Sequence, residues 1–297
     1  MTSAQPHSPT HRLSLAIMTQ APRAAPPPAG AREEALRTLL ATASDGGVTR
    51  IATRPEGDDE RLLGQAWPFP SPFQVSVRTV SLAEGVDRIE ARARRSLERL
   101  GLPRGDSLLV SNAADLAGAE GRALWDRLQS LKDRGLFRRI GFCARVEDGP
   151  TLLARRLAPD VVQVPCNLLD QRAHRLGVLS ELRALDVSVT LSSVFAHGLL
   201  FGGGEALPQD LARHAPTLSR IRRRLAEARV DPMQATLAYA LGLSEVSSVI
   251  ATVASAAELR AVMAAAHAPV PDINWADMAM ETPADLADAS ARISNAA

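Results

Sequence analysis

The chain has 297 residues, enough for two ordinary domains or one large α/β barrel, and its 46% of hydrophobic residues can bury a sizeable core, which excludes a disordered protein. Its 34 basic and 33 acidic side chains leave a net charge of +1 and are mixed along the sequence, so there is no global field for nucleic acid or a membrane surface. No apolar run reaches the ~20 residues that span a bilayer, and no hydrophobic signal core precedes the first prolines, so a cytoplasmic protein is expected.

Residues 1–12, polar and proline-bearing, read as a mobile tail. Leu13 to Met18 reads as a first strand, and the proline-rich stretch from Ala21 to Gly30 as a loop. From Arg32 to Ala43 the apolar positions Ala35, Leu36, Leu39 and Leu40 recur at helical spacing, and Asp45-Gly46-Gly47 ends that helix. VTRIAT and QVSVRTV (Gln74 to Val80) read as the next strands, the second reached through the proline-rich WPFPSPF.

A regular alternation follows. GVDRIEARARRSLERLG is an amphipathic helix, DSLLVS a strand, GRALWDRLQSLKDRG a helix and RRIGFC a strand. TLLARRLA, VVQVP, LGVLSELRALD and VSVTLSS continue as helix, strand, helix, strand. A loop carrying FGGGEALPQD leads to the helices LSRIRRRLAEARV and PMQATLAYALG, the strand VSSVIAT and the helix AAELRAVMAAAH. Strand and helix alternating about eight times is the pattern of a (β/α)8 TIM barrel. A doubly wound open sheet is the runner-up, but no G-x-G-x-x-G follows the first strand. The barrel is expected over residues 13–272, and residues 273–297 as a C-terminal extension packing through Trp275 and Met278.

The β-branched run Val161, Val162 and Val164, bounded by Pro159 and Pro165, reads as a buried strand with Gln163, Cys166 and Asn167 placing polar atoms at and beyond its end. Ligands of α/β proteins bind at such strand ends. Cys143 and Cys166 each close an interior strand and read as buried reduced thiols rather than a disulfide. Lysine occurs once, as Lys132, and tyrosine once, as Tyr239, so chemistry needing both has one candidate pair. Both fall on outer-ring helices and are not expected to meet at the barrel mouth. No metal site is expected.

The segments LWDRLQSLKDRGLFRRIGFC, PDVVQVPCNLLDQR, VTLSSVFAHGLLFGG and VSSVIATVASAAELRAVM resemble the middle and closing strands and helices of the aldo/keto reductase superfamily, and GVTRIATRPEGDDERLLG resembles its second strand and following loop. The resemblance covers roughly residues 12–270 and implies an NAD(P)-binding barrel. It also implies a catalytic tetrad: a Tyr general acid, tuned by a Lys paired with an Asp, and a His that orients the carbonyl. In this chain the matching positions are Ala52 for the Asp, Glu56 at or beside the Tyr, Arg78 for the Lys and Ser111 for the His. Arg78 is too basic to titrate as a lysine does. Glu56 and Arg78 form either an ion pair closing a dead site or a rewired acid/base pair.

The resemblance further implies that Gln163 contacts the nicotinamide carboxamide, with Asn167 beside it, that Ser192 takes the stacking position and that Ser193 contacts the pyrophosphate. Phe195, His197 and Gly198 in the next loop and Ser255 and Glu258 at the adenosine end complete the implied cofactor set. Glu258 would repel a 2'-phosphate, so NAD(H) is expected over the phosphorylated form. Gln163 and Asn167 otherwise only satisfy loop backbone groups, and the glycine run Gly198 to Pro208 is a phosphate loop, a flexible lid or an ordinary loop. Arg220, Arg222, Arg223 and Arg224 form either a solvated helix face or a patch for an acidic partner.

Within the family the chain resembles a catalytically degenerate regulator of bacterial cell division, which implies NAD(H) binding without turnover, inhibition of assembly of the tubulin-like GTPase FtsZ and action on the histidine kinase DivJ. The ending in Ala296 and Ala297 resembles the alanine ends gripped by bacterial unfoldases, and is expected to act as a degradation signal.

Overall fold

In a computed structural model, which describes residues 8–18, 29–55, 57–201 and 209–281, eight parallel strands close on themselves in chain order. β1 (Leu13–Ile17), β2 (Arg50–Ala52), β3 (Gln74–Arg78) and β4 (Gly105–Val110) form one half of the barrel. β5 (Phe137–Cys143), β6 (Val161–Pro165), β7 (Ser188–Ser192) and β8 (Val246–Val253) form the other, and β8 returns to pair with β1. This is the expected (β/α)8 barrel.

The helices form because each presents an apolar stripe to the outside of that sheet. α1 (Ala29–Asp45) buries Leu36, Leu39, Leu40 and Ala43, and α2 spans Asp59–Ala66. α3 (Val86–Leu100) buries Ile89, Ala93, Leu97 and Leu100, and stops at Gly101, whose φ of 63° the left-handed cap requires. α4 (Gly118–Asp133) buries Leu124, Trp125, Leu128 and Leu131. α5 (Pro150–Leu157), α6 (Arg172–Arg175) and α7 (Val178–Ala184) follow. α8 (Ala215–Glu227), α9 (Pro232–Gly242) and α10 (Ala256–His267) complete the ring. The Asp231 side chain caps α9, accepting from the N–H groups of Met233 and Gln234.

Strand pleating divides the residues into two sets. Val75, Val77, Leu108, Val110, Val162, Val164, Val189 and Leu191 are fully buried and lie under the helices. The alternate set is linked strand to strand by the register pairs Ala52 with Ser76, Ser76 with Ser107, Cys143 with Gln163 and Gln163 with Thr190. It faces the interior, where the Ser107 hydroxyl donates to Ser76 at 2.9 Å. The same parity carries Ala52, Arg78, Ser111, Gln163 and Ser192 to the C-terminal mouth.

Several expectations are corrected. The stretch that resembles a second strand and its following loop holds a helix as well, α2. The helix expected over LGVLSELRALD forms as α7, and the extra turn α6 stands ahead of it, separated by Gly177 (φ 76°). Residues 9–12 of the expected tail form a 3-10 turn with Thr10 buried, because Arg12 donates to the carbonyls of Leu241, Leu243 and Val246 at 2.6, 2.9 and 2.6 Å. The packing expected of residues 273–281 is found: Trp275–Met278 is a 3-10 turn, Trp275 lies against the core, Met278 and Met280 are buried, and the Met280 N–H donates to the Leu169 carbonyl. Cys143 is half-buried rather than buried, since it faces the mouth. Residues 1–7, Glu56, Gly202 to Pro208, and the end with Ala296 and Ala297 lie outside the described residues.

Candidate cofactor and substrate site

The mouth is built from strand ends and the loops that leave them. Ala52 ends β2 and offers no polar atom. Arg78 ends β3 half-buried, and makes no hydrogen bond or ion pair among the described residues. Glu56, its expected partner, lies outside the described residues. Ser111 follows β4, where its hydroxyl donates to the Thr79 carbonyl and its N–H donates to the Thr79 hydroxyl at 3.2 Å. The one proton of that side chain is thus committed to the backbone, and Ser111 cannot donate it to a carbonyl substrate at the same time.

Cys143, at the end of β5, is registered beside Gln163. Burial pushes its thiol above the usual range, while the charges of Arg78 and Arg54 pull it down. The two guanidinium groups therefore bear on the same point inside the mouth. Arg54 was not singled out in the sequence, although it stands two residues beyond Ala52 and shares its parity. Desolvation within the same concavity, then the Arg54 charge, hold the His197 imidazole below its ordinary pKa.

Gln163 is 3% exposed, and its side-chain amide makes no hydrogen bond among the described residues. It is not a buried orphan, since among the described residues the one buried side-chain polar atom without a partner is Nε of Arg222; its polar atoms keep contact with the mouth and are open to a ligand. Asn167 differs. Its Oδ1 accepts from the N–H groups of Leu169 and Asp170, both at 2.9 Å, and its Nδ2 donates to the Ser193 carbonyl at 3.0 Å. It ties the loop after β6 to the loop after β7 and has no polar atom to spare for the carboxamide.

The loop after β7 carries left-handed backbone at Ser193, Ala196, His197 and Gly198, a conformation that residues other than glycine adopt at a cost. Ser192 is half-buried at the strand end. Phe195 stacks edge-on to Phe201 with centroids 5.6 Å apart, and His197 is exposed. Arg222 of α8 donates to the Leu199 carbonyl and so anchors this loop from behind. Arg224 pairs with Asp277 at 3.1 Å, and Arg223 with Glu227 at 3.8 Å. Three of the four clustered arginines thus have partners within the chain. At the far end of the groove the Ser255 hydroxyl caps α10 by accepting from the Glu258 N–H, and the Glu258 carboxylate accepts from the Ala254 N–H at 2.6 Å.

The single lysine and tyrosine sit elsewhere. Lys132 binds Asp160, just ahead of β6 and on the opposite face of the barrel. Tyr239 lies on α9 with its hydroxyl 4.0 Å from the Cys166 sulfur and its ring against Trp275.

The model of the aldo/keto reductase family matches residues 73–280. The chain belongs to this family. Aldo/keto reductases as a family bind NAD(P)(H), and in this member the Gln163 amide, open to the mouth with no partner among the described residues, fits such a group. In overall structure the chain is similar to a protein assigned as an aldo-keto reductase from Pseudomonas aeruginosa, with 22% identity, 89% of this chain and 94% of that one covered, and a TM-score of 0.62. It is also similar to an aldo-keto reductase from Bacillus halodurans in its holo form, with 18% identity, 93% and 91% covered, and a TM-score of 0.69. No curated protein matches the sequence. Among the described residues no helix is long and apolar enough to cross a membrane.

Proposed function

We propose that this aldo/keto reductase is an NAD(H)-binding regulatory protein that carries out no turnover. The observation that carries this reading is the composition of the mouth. Where the chemistry needs a tunable acid, a cation on a short leash and an orienting imidazole, the chain has Ala52, an arginine that cannot titrate and a serine whose proton goes to Thr79. Tyr239 and Lys132 are committed to contacts outside the mouth.

The nicotinamide group, when bound, supplies a hydride donor. The chain's own part is to hold it: Gln163 through the carboxamide, Ser192 and Phe195 along the ring side, Ser193, His197 and Gly198 near the pyrophosphate, and Ser255 and Glu258 at the adenosine. Glu258 puts a carboxylate where a 2'-phosphate would need a cation, which favours NAD(H). Asn167 acts from behind, fixing the Ser193 carbonyl.

The resemblance to the cell-division regulator KidO supports action through protein contact, with FtsZ assembly and the kinase DivJ as the processes to examine. The test has two arms. Standard aldehydes and ketones should give no turnover with NADH or NADPH, while NADH should bind in a fluorescence titration and alter FtsZ sedimentation by the protein. Turnover abolished in Glu56→Ala would replace this reading with that of an oxidoreductase using Glu56 and Arg78.

A further inference from the structure

A cavity of about 570 Å³ opens on the outer flank of the barrel, between α6, α9 and the segment that follows α10. That volume lies in the range of small-molecule sites. Leu243, Ser244 and Glu245, which lead into the start of β8, lie along it, so it is separate from the mouth, where the strands end. Its floor is the ring of Tyr239, 4% exposed. The Trp275 ring stands 5.8 Å from it at 57°, and the His174 ring 6.4 Å from it at 70°. Rings inclined in this way leave faces and edges for a third ring. The Gln171 amide fixes the Trp275 wall, donating to the Trp275 carbonyl at 2.7 Å and to that of Leu168 at 3.0 Å.

Two donors on this lining are not used by the chain. The Arg175 guanidinium and the Trp275 indole N–H make no hydrogen bond or ion pair among the described residues, and neither is sealed off from the cavity. Arg172, on the same short helix, is by contrast spent on Asp170 and Glu147. Arg175 stands near enough to Tyr239 for its charge to act on the phenol. Glu245, the one carboxylate of the lining, does not pair with it and accepts the Ser244 hydroxyl at 3.2 Å. A neutral ring would leave the guanidinium without a partner, whereas a carboxylate matches its fork of donors. We propose that this groove is a second ligand site, for a flat aromatic ring that carries a carboxylate, with the ring against Tyr239 and Trp275 and the carboxylate on Arg175. Such a ligand clamps the segment after α10 to the loop that follows β6.

Calorimetric titration of the full chain with 3-phenylpropionate tests this. We expect one equivalent per chain and binding weakened roughly tenfold or more in Arg175→Gln. The same loss is expected for 3-phenylpropanol on the native chain, since it keeps the ring without the charge, and for hexanoate, which keeps the charge without the ring. Gly242→Leu blocks the groove from its far side: a Cβ there meets nothing within 4 Å, and the position is helical, so this variant should fold and lose the ligand. Circular dichroism checks the fold of each variant. Undiminished binding by either folded variant would overturn the proposal, as would no binding by the native chain. Equal binding of 3-phenylpropanol would overturn the carboxylate, and equal binding of hexanoate the ring. A loss in Arg78→Met with none in Arg175→Gln would move the ligand to the mouth and overturn the site. NADH is titrated separately: its failure to bind would sink the dinucleotide reading and leave this one standing.

Discussion

Lys132 reaches both carboxylate oxygens of Asp160 at 2.6 Å, and the same carboxylate accepts the Ile140 N–H at 2.8 Å. The only lysine in the chain thus bolts α4 to the start of β6, on the face opposite the mouth. Because the pair is part-exposed, Lys132→Met should cost only about 1 kcal/mol. Asp160→Ala also strands a strand N–H and should cost more, about 1–3 kcal/mol. Neither should alter NADH affinity, and chemical denaturation paired with a fluorescence titration checks both statements.

Tyr239 and Cys166 carry an alkaline signature. Burial pushes the Cys166 thiol from 9.0 up to about 12 and moves the Tyr239 phenol above its ordinary range. Both folded pKa values are raised, so the folded chain keeps protons that the unfolded chain releases. That contribution is complete below about pH 9 and is lost as pH rises from about 9 to about 12. The melting temperature of Cys166→Ala should accordingly fall less steeply over that range than that of the native chain. Equal slopes would show that the thiol is not the titrating group.

At low pH the corresponding group is Glu90. Burial would raise its pKa, but hydrogen bonds from Arg94, Arg127 and Arg134 outweigh it and hold the carboxyl at about 2. The folded value is depressed, so its contribution is present above the unfolded value of 4.5 and disappears as pH falls toward 2. Glu90→Gln should cost about 1 kcal/mol at neutral pH and nothing at the acid limit. An equal loss at both ends, in melts followed by circular dichroism, would refute this.

For the cofactor, Gln163→Ala should weaken NADH binding about tenfold, the worth of one or two amide hydrogen bonds in a buried site. Asn167→Ala should instead lower stability first, by about 2 kcal/mol, since three loop hydrogen bonds depend on it. A binding titration alongside a melting curve separates the two roles. Loss of stability in Gln163→Ala without loss of affinity would reverse the assignment.

The eight strands and most helices were legible because their apolar periods are clean, as in Ile89, Ala93 and Leu97 on α3 or Val162 and Val164 on β6. α2 was not: it is only eight residues long, and Gly64 within it is a poor helix former. That glycine is there for contact: a Cβ would stand 2.2 Å from the Arg99 carbonyl oxygen at the end of α3. The strand-end positions Arg78, Ser111 and Gln163 were also legible, since strand period fixes where they emerge. Their partners were not. Thr79 for Ser111 and Ser193 for Asn167 are joined by geometry between separate loops, which no spacing in the chain encodes.

The Arg12 clamp on Leu241, Leu243 and Val246 has a consequence for synthesis. It fastens the seam between the first strand and the last, so β1 has no second neighbour until the ribosome has delivered β8. Throughout that interval the nascent barrel exposes two open strand edges, each able to pair with another chain.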